Sequence, residues 1–340
     1  MDNATQAYSN TTVTTESLEA SRQWCAHITR TQAKNFYWGL RLAPADRRPD
    51  LYALYSWMRV ADDIADGDSG PTTTTNATSL SAEQRGLSLA QFRRATHALL
   101  DATNDRVCAH ELGSLSEETS NMIVCDARLW PAFVHAATAH EISRNWLDEA
   151  LDGMAEDLNH RGYADFGDLE RYCYRVASTV GLLCVSIWGL RRGVDVAHAQ
   201  SLAIARGKAF QLTNILRDIA VDARTHTPPR CYVPTDMLCA HGLTHEGLLA
   251  WTLATNCQGL VLELVARARL HQRESALLES LIDPACVPVL RAMSGLYWRI
   301  LDRIEAKPWL AVATPPVRVP TVEKVGVMLR SLALGSRVKS

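Results

Sequence analysis

Apolar residues recur at spacings of three and four along most of the chain, which is the pattern of helices that bury one face. The clearest runs are LYALYSWMRVADDIAD (51–66), LERYCYRVASTVGLLCVSIWGL (169–190), AQSLAIARGKAFQLTNILRDIAVD (199–222) and LLAWTLATNCQGLVLELVARARLH (248–271). No convincing set of alternating strands accompanies them. The pattern therefore predicts an all-α protein with roughly ten helices.

Helix-breaking residues collect at three places, residues 67–86, 224–234 and 307–320, where Pro, Gly and Thr are frequent. None of these segments resembles a long linker, and no repeat occurs at solenoid spacing. The first 20 residues are polar and Thr-rich, without the basic and apolar segments of a signal peptide. We therefore expect a disordered leader over 1–20 and a single helical domain over 21–340.

The composition narrows the class of protein. The chain has 340 residues, of which 47% are hydrophobic, so it can bury a large core. Its formal charge of -2 provides no field that would recruit nucleic acid. The nine cysteines occur singly, without CxxC pairs, which is typical of reduced and mostly buried thiols and favours a cytoplasmic protein. The longest apolar run, 180–190, is shorter than the ~20 residues that span a bilayer, so we expect at most peripheral contact with the inner face of a membrane.

A first acidic group lies in RVADDIADGDSG, residues 59–70. On a helix, Asp62 and Asp66 project one turn apart on the same face, and Asp63 flanks them. This repulsion costs ~0.2–0.5 kcal/mol, and more where the carboxylates are desolvated. A hard cation such as Mg²⁺, held by one or two carboxylates together with substrate phosphates, would offset that cost. A solvated helix end that stops at Gly67 is the alternative.

A second acidic group lies in FQLTNILRDIAVDART. Asn214, Asp218 and Asp222 are spaced by four, so their oxygens form one stripe over two turns of a helix. Gln211 lies one turn earlier on nearly the same face. Lys or Arg at i+4 would suit a salt-bridged surface better than Asn with two Asp, although a surface helix can show this spacing by chance.

Each acidic group has its own cation, since Arg59 precedes Asp62 by three residues and Arg217 adjoins Asp218. Metal ions bridging oxygens, with guanidinium forks on the remaining oxygens, form a clamp for diphosphate. The two groups therefore suggest a cavity with metal-binding rims and an otherwise apolar wall. Candidate aromatics of that wall are Phe36, Tyr37, Tyr52, Tyr55, Tyr172 and Tyr174. Core packing is the alternative for each of them.

These stretches resemble the squalene and phytoene synthase family, the head-to-head prenyl synthases with an all-α isoprenoid synthase fold. DDIAD matches the family's DxxxD motif and NILRDIAVD its NxxxDxxxD motif, in the expected order and separation. Further likeness is found in AKNFYWGLRLAP, LDGMAEDL, YCYRVASTVGLL and RCYVPTDML. The resemblance extends over roughly residues 20–335, and the ordered set is far more specific than DxxxD alone.

The resemblance implies that two farnesyl or geranylgeranyl diphosphates condense in a central cavity to a cyclopropylcarbinyl diphosphate, presqualene or prephytoene diphosphate. It places Mg²⁺ on residues that match the two motifs, Asp62, Asp66, Asn214, Asp218 and Asp222, with Asp63 nearby. It assigns diphosphate contacts to Arg59, Gln211 and Arg217, the reacting centre to Tyr55 and Tyr172, and the wall of the prenyl tunnel to Phe36 and Val176. The catalytic set is then Tyr55, Arg59, Asp62, Asp66, Tyr172 and Asp218.

Two departures from the family bear on the product. YCYRVASTVGLL has Ser178 where the family often has Gly, and together with NFYWGLRLAP it resembles bacterial presqualene diphosphate synthases of the hopanoid route most. ARTHTPP stands where relatives commonly have a basic, glycine-rich segment. No G-x-G-x-x-G follows a strand-like run, but this does not decide the use of NADPH, because NADPH-using squalene synthases lack that motif too. Those enzymes commonly have a C-terminal membrane anchor, and LRSLALGSRVKS is too short and polar to be one, so NADPH is not expected.

Several alternatives stay open at this point. Within the family, these are a phytoene synthase that condenses two geranylgeranyl diphosphates and a squalene synthase that uses NADPH. A terpene cyclase would apply the same metal chemistry to one substrate. A protein of another class would bind prenyl lipids without catalysis. The enzyme hypotheses imply prenyl diphosphate substrates, with peripheral membrane contact for product release and downstream isoprenoid-pathway enzymes as partners.

Overall fold

The computed structural model describes residues 15–33, 35–67, 80–105, 126–225 and 229–336. Within these ranges the regular structure is helical and contains no strand, apart from a single bridge between Leu190 and Ile282. The prediction of an all-α fold is therefore confirmed. The contacts group the chain into two compact units, Met1–Leu40 with Ala45–Leu158 and Arg41–Pro44 with Asn159–Ser340. The single domain over 21–340 stays a prediction.

The first unit contains six helices in its described part. They are α1 (Thr15–Gln32), α2 (Asn35–Leu40), α3 (Arg48–Asp66), α4 (Ala82–Asp105), α5 (Trp130–Ala139) and α6 (Arg144–Leu158). Trp57 of α3 is fully buried at their centre, stacked on Phe133 with 5.3 Å between ring centroids and tilted against Phe92 at 5.5 Å. Its indole N–H donates to Thr96 Oγ1 at 3.1 Å, so the core of this unit holds α3 by packing and by a satisfied polar contact.

The second unit contains nine helices in its described part. They are α7 (Phe166–Cys173), α8 (Thr179–Trp188), α9 (Val196–Thr225), α10 (Thr235–Ala240), α11 (His245–Leu249), α12 (Ala254–Glu274), α13 (Leu278–Leu281), α14 (Val287–Ala306) and α15 (Thr321–Ser336). The 30-residue helix α9 is central, because it packs against α8, α12 and α14. Its residues Leu212, Leu216 and Ile219 lie in one buried cluster with side chains of α12 and α14.

A π-helical turn, Tyr174–Ser178, joins α7 to α8 inside the predicted run 169–190. π-Helical turns are rare overall, and those that occur often lie at functional sites. This turn packs closely on α9: Ser178 Oγ donates to the carbonyl of Ile204 at 2.8 Å, and Gly207 lies directly against the backbone of Ala177 and Ser178. The side chain at 178 therefore has a structural task in this chain.

Other boundaries differ from those predicted. Helix α1 begins at Thr15, inside the segment expected to be a leader, and residues 1–14 lie outside the described ranges. The apolar run 248–271 is interrupted, because α11 ends at Leu249 and Trp251 adopts a positive φ of 55° before α12 begins. The spacing of apolar residues does not register such a local backbone change.

Three further expectations fall partly outside the described residues. Outside the described ranges lie residues 68–79 of the Thr-rich segment 67–86, residues 226–228 of the loop after the second motif, and two of the nine cysteines. The seven described cysteines are all free thiols, five of them buried. Across the described ranges, no helix combines the length and hydropathy needed to cross a bilayer.

Candidate active site

The first acidic group lies in the last turn of α3. Pro49 lies in the first turn of this helix, and Gly67 ends the helix with a φ of 72°, a conformation that costs a glycine little. The Gly67 N–H donates to the carbonyl of Asp63 at 3.0 Å, and Arg85 of α4 donates to the carbonyl of Ala65 at 2.8 Å. The sequence thus stops the helix directly after Asp66 and supplies donors for its terminal carbonyls.

Arg59 joins the aspartates of this group. Its guanidinium donates to Asp62 Oδ2 at 3.1 Å and forms an ion pair with Asp63. The side chain of Asp63 is only 1% exposed, so a charge-neutralising partner is required at that depth. Asp63 is therefore first a buried anchor for Arg59, whereas Asp62 is 45% exposed and Asp66 is exposed.

The Asp62 carboxyl responds most strongly to this environment. Although nearly half of its side chain is solvent-exposed, the surrounding protein and the charge of Asp66 raise its pKa to about 7. Arg59 opposes this shift, and the nearby charge of Asp157 on α6 adds to it. A site that resists a negative charge in this way is one that a cation would stabilise. Asp157 lies within the LDGMAEDL stretch, where no motif spacing had marked it as a site residue.

Two predicted aromatic residues of this unit differ in position. Tyr55 lies one turn before Arg59, and burial raises its pKa to about 12, with Arg59 acting in the opposite direction. The Tyr55 hydroxyl is therefore a neutral group beside the acidic group of α3. Phe36 of α2 is 40% exposed, so its assignment to a tunnel wall stays a prediction.

The second acidic group lies on α9 as the spacing predicted. Asn214, Asp218 and Asp222 occupy successive turns of one continuous helix, and all three side chains are partly exposed. Arg217 donates to both carboxylate oxygens of Asp218, through Nε at 2.8 Å and through Nη2. Burial is the largest single influence and disfavours the charge of Arg217, but the hydrogen bonds to Asp218 and the nearby charges of Asp218 and Asp222 together outweigh it and raise the pKa. The guanidinium is thus a fixed cation beside the oxygen stripe.

Tyr297 of α14 is a member of this group that the sequence analysis missed. Asn214 Nδ2 donates to Tyr297 Oη at 3.4 Å and to Gln211 Oε1 at 3.3 Å, which orients the amide. Tyr297 is itself held by stacking on Phe210 with 4.1 Å between ring centroids. Burial raises its pKa, so it is a neutral phenol here. Because 83 residues separate it from Asn214, no local spacing could have indicated the contact.

The donor set of the second group suits a hard cation. Asn214 Oδ1 is buried and accepts no hydrogen bond from any described residue, and such an unpaired acceptor costs about 1–3 kcal/mol. It shares a stripe with two carboxylates, and Mg²⁺ prefers such oxygens. Within the described residues, no cluster of three or more His, Cys, Asp or Glu is arranged to hold a metal alone. Mg²⁺ needs only one or two carboxylates when phosphate oxygens complete its shell, so the residues fit that mode of binding.

Tyr172 and Val176 lie elsewhere in the second unit's packing. Tyr172 is 3% exposed in an aromatic cluster, with its ring 5.6 Å from that of Tyr163 and 5.2 Å from that of Tyr232. Val176 is in the π-helical turn and packs partly buried against the same core. Core packing accounts for both positions. The role of Tyr172 at the reacting centre and that of Val176 in the wall of the prenyl tunnel stay predictions.

Solved structures share this architecture. A dehydrosqualene synthase in complex with a ligand superposes with a TM-score of 0.72 and 22% identity, over 94% of this chain and 98% of its own. Squalene synthase HpnC from Alicyclobacillus acidocaldarius gives a TM-score of 0.68 and 22% identity, over 87% and 97% of the two chains. These likenesses establish the class of fold, a helical isoprenoid synthase.

Sequence relatives agree with that class. Chloroplastic phytoene synthase 1 of Zea mays is 30% identical over 291 residues, which are 85% of this chain and 62% of the relative. Chloroplastic phytoene synthase 2 of Solanum lycopersicum is 31% identical over 286 residues, 83% and 80% of the two chains. The chain thus spans about three fifths of the Zea mays protein. The family model for squalene/phytoene synthase matches residues 29–323, and the chain belongs to that family.

Proposed function

We propose that this protein condenses two prenyl diphosphates head to head and releases diphosphate, most specifically converting two farnesyl diphosphates to presqualene diphosphate. The observation that carries the proposal is the arginine fixed on an aspartate in each acidic group, Arg59 on Asp62 and Arg217 on Asp218. Family membership supports the reaction type, since the matched region includes both groups.

Each acidic group has its own division of labour in this proposal. On α9, Arg217 directs Nε and Nη2 to Asp218, which leaves Nη1 to donate to a diphosphate oxygen. Gln211 orients Asn214, whose buried Oδ1 joins the carboxylates of Asp218 and Asp222 as a metal ligand. Bound Mg²⁺ would supply the charge that stabilises departing diphosphate.

On α3, Asp62 and Asp66 are the proposed ligands, and buried Asp63 fixes Arg59 so that the guanidinium faces diphosphate in a set orientation. Tyr55 is placed by the same helix one turn earlier and stays protonated, so its ring and hydroxyl present no negative charge to water or substrate. Apolar surroundings, to which we assign Phe36, Tyr172 and Val176, would exclude water from a reacting allylic cation.

Some observations favour farnesyl diphosphate as the substrate, and others favour geranylgeranyl diphosphate. The YCYRVASTVGLL and NFYWGLRLAP stretches resemble presqualene diphosphate synthases, and the two structural relatives are a dehydrosqualene synthase and a squalene synthase. Phytoene synthase is the second candidate, because the curated relatives bear that name. Reduction with NADPH is not part of the proposal.

Incubation of the purified protein with Mg²⁺ and either farnesyl or geranylgeranyl diphosphate, with and without NADPH, tests the proposal by product mass spectrometry. We expect a C30 diphosphate from farnesyl diphosphate that does not require NADPH. A C40 product formed only from geranylgeranyl diphosphate would favour the second candidate. A product with one prenyl unit would identify a terpene cyclase, and metal-independent binding without diphosphate release would identify a lipid-binding protein.

We further propose a cytoplasmic protein that touches a membrane peripherally when it delivers its lipid product to downstream isoprenoid-pathway enzymes. Helix α15 supports this contact, because Val322, Val325, Leu329 and Leu332 form an aliphatic stripe between 47% and 84% exposed.

We expect the protein to sediment with phospholipid vesicles and Leu329→Glu to reduce the bound fraction severalfold, since a charge at the interface opposes insertion. Leu270→Glu is the control, because Leu270 is an exposed leucine of α12 outside the stripe. Equal sedimentation of both variants and wild type would contradict the contact.

A further inference from the structure

A cavity with a basic lining lies in the second unit, apart from the acidic stripe of α9. A cavity of about 310 Å³ is lined by Arg191, Leu277, Glu279, Ser280, Val287 and Arg291. Cavities of this volume accommodate small ligands. Its lining combines two guanidinium groups with one carboxylate, which distinguishes it from the acidic groups described above.

Arg191 is fixed in this lining by its backbone. Its N–H donates to the carbonyl of Leu281 at 2.8 Å, the preceding residue Leu190 pairs with Ile282, and Asp283 N–H donates to the carbonyl of Gly189 at 2.9 Å. This short antiparallel pairing ties the α8–α9 connection to the segment after α13. The base of the Arg191 side chain is therefore anchored before any ligand binds.

Glu279 is already shared by two other arginines. Arg291 Nε donates to Glu279 Oε2 at 2.7 Å, and Arg206 Nη1 lies 4.0 Å from Glu279 Oε1. Arg206 is buried and is otherwise held by Ser275 and Ser294. Arg206 and Arg291 thus share one carboxylate, whereas no carboxylate of the described residues lies within 4.0 Å of Arg191.

Two guanidinium nitrogens of the lining lack acceptors. Arg191 Nε and Arg291 Nη1 are both buried, and neither has a hydrogen-bond partner among the described residues. Buried donors are nearly always paired in proteins, so two in one cavity require an explanation. An anion with several oxygens would offset the excess positive charge, and it would accept from both nitrogens once the two guanidinium groups turn towards it. Val287, the first residue of the 20-residue helix α14, adds the positive end of a helix dipole to the same lining.

We propose that this cavity binds a phosphate-type oxyanion, as inorganic phosphate or as inorganic diphosphate, between Arg191 and Arg291. Guanidinium forks match tetrahedral phosphate oxygens better than they match a spherical anion such as chloride. The proposal depends only on residues of the second unit and does not require the prenyl-transfer function proposed above.

Isothermal titration calorimetry of the full-length protein with inorganic phosphate, and separately with inorganic diphosphate, tests the site. EDTA is present to remove metal, so that the acidic groups repel the anion, and NaCl keeps ionic strength constant. We expect saturable binding of at least one of the two anions and about tenfold weaker binding in Arg191→Gln, which corresponds to about 1.4 kcal/mol. The anion that binds more tightly identifies the source of the phosphate.

Arg192→Gln is the matched control, because it removes the same charge from the adjacent, exposed position. We expect this variant to bind within twofold of wild type. Arg291→Gln should also weaken binding, but it breaks an ion pair with Glu279, so Arg191→Gln decides if that variant does not fold. Absence of saturable binding to wild type, undiminished binding in Arg191→Gln, or an equal loss in Arg192→Gln would overturn the proposal.

Discussion

Replacement of Asp218 by Asn is expected to lower Mg²⁺-dependent diphosphate release about 10³-fold while leaving the fold intact. The substitution keeps the shape of the side chain and removes the charge at the centre of the α9 stripe. It also leaves Arg217 without the carboxylate that accepts two of its hydrogen bonds, so both the metal ligand and the orientation of the cation are lost. Diphosphate release at saturating substrate measures the effect, and circular dichroism checks the fold.

Asp62→Asn should give a loss of the same order, because Asp62 is a proposed metal ligand of the α3 group and the pKa of its carboxyl is raised by its surroundings. Asp302→Asn is the matched control, since Asp302 is a largely exposed aspartate of α14 that forms an ion pair with Arg269. We expect its turnover to stay within twofold of wild type, because exposed ion pairs contribute little. Unchanged turnover in both Asp62→Asn and Asp218→Asn would eliminate the prenyl-transfer proposal.

The helices that hold these aspartates were predictable because their apolar spacing is regular. Residues 51–66 lie in α3 and residues 199–222 in α9, and in both helices burial of one face outweighs local preferences. The break at Trp251 was not predictable in this way, since a single residue with positive φ leaves the surrounding apolar spacing unchanged. The π-helical turn was missed for the same reason: a single five-residue turn leaves the apolar spacing on either side of it helical.

The same distinction between local spacing and tertiary packing applies to the candidate site. Asn214 and Asp218 were recognisable because i,i+4 spacing on a helix is a local property. Asp157 and Tyr297 reach the two groups from other helices, and such contacts depend on tertiary packing. The burial of Asp63 likewise follows from packing around α3, although Asp63 and Asp62 are the same type of residue. Sequence spacing therefore predicts which oxygens share a helix face, but not which of them is a ligand and which an anchor.

Gly207→Ala is expected to destabilise the protein by about 3 kcal/mol or more, the largest stability effect that a single methyl group should have in the second unit. An added Cβ would lie 2.4 Å from Ser178 Cα and 2.6 Å from the carbonyl oxygen of Ala177. Both are backbone atoms of the π-helical turn, so no side-chain rotation can relieve the overlap. The intrinsic helix preference of Ala over Gly, about 1 kcal/mol, acts in the opposite direction and is too small to compensate.

Urea unfolding followed by circular dichroism measures this effect, with Gly326→Ala as the matched control. Gly326 is also in a helix, α15, but an added Cβ there would meet nothing within 4 Å, so we expect its stability to be unchanged or up to ~1 kcal/mol higher. Because α9 bears the second acidic group and the turn bears Val176, separation of the two should also reduce turnover in folded Gly207→Ala. Midpoints that agree between the two variants would mean that the turn yields easily, and that its close approach to α9 does not hold this part of the fold.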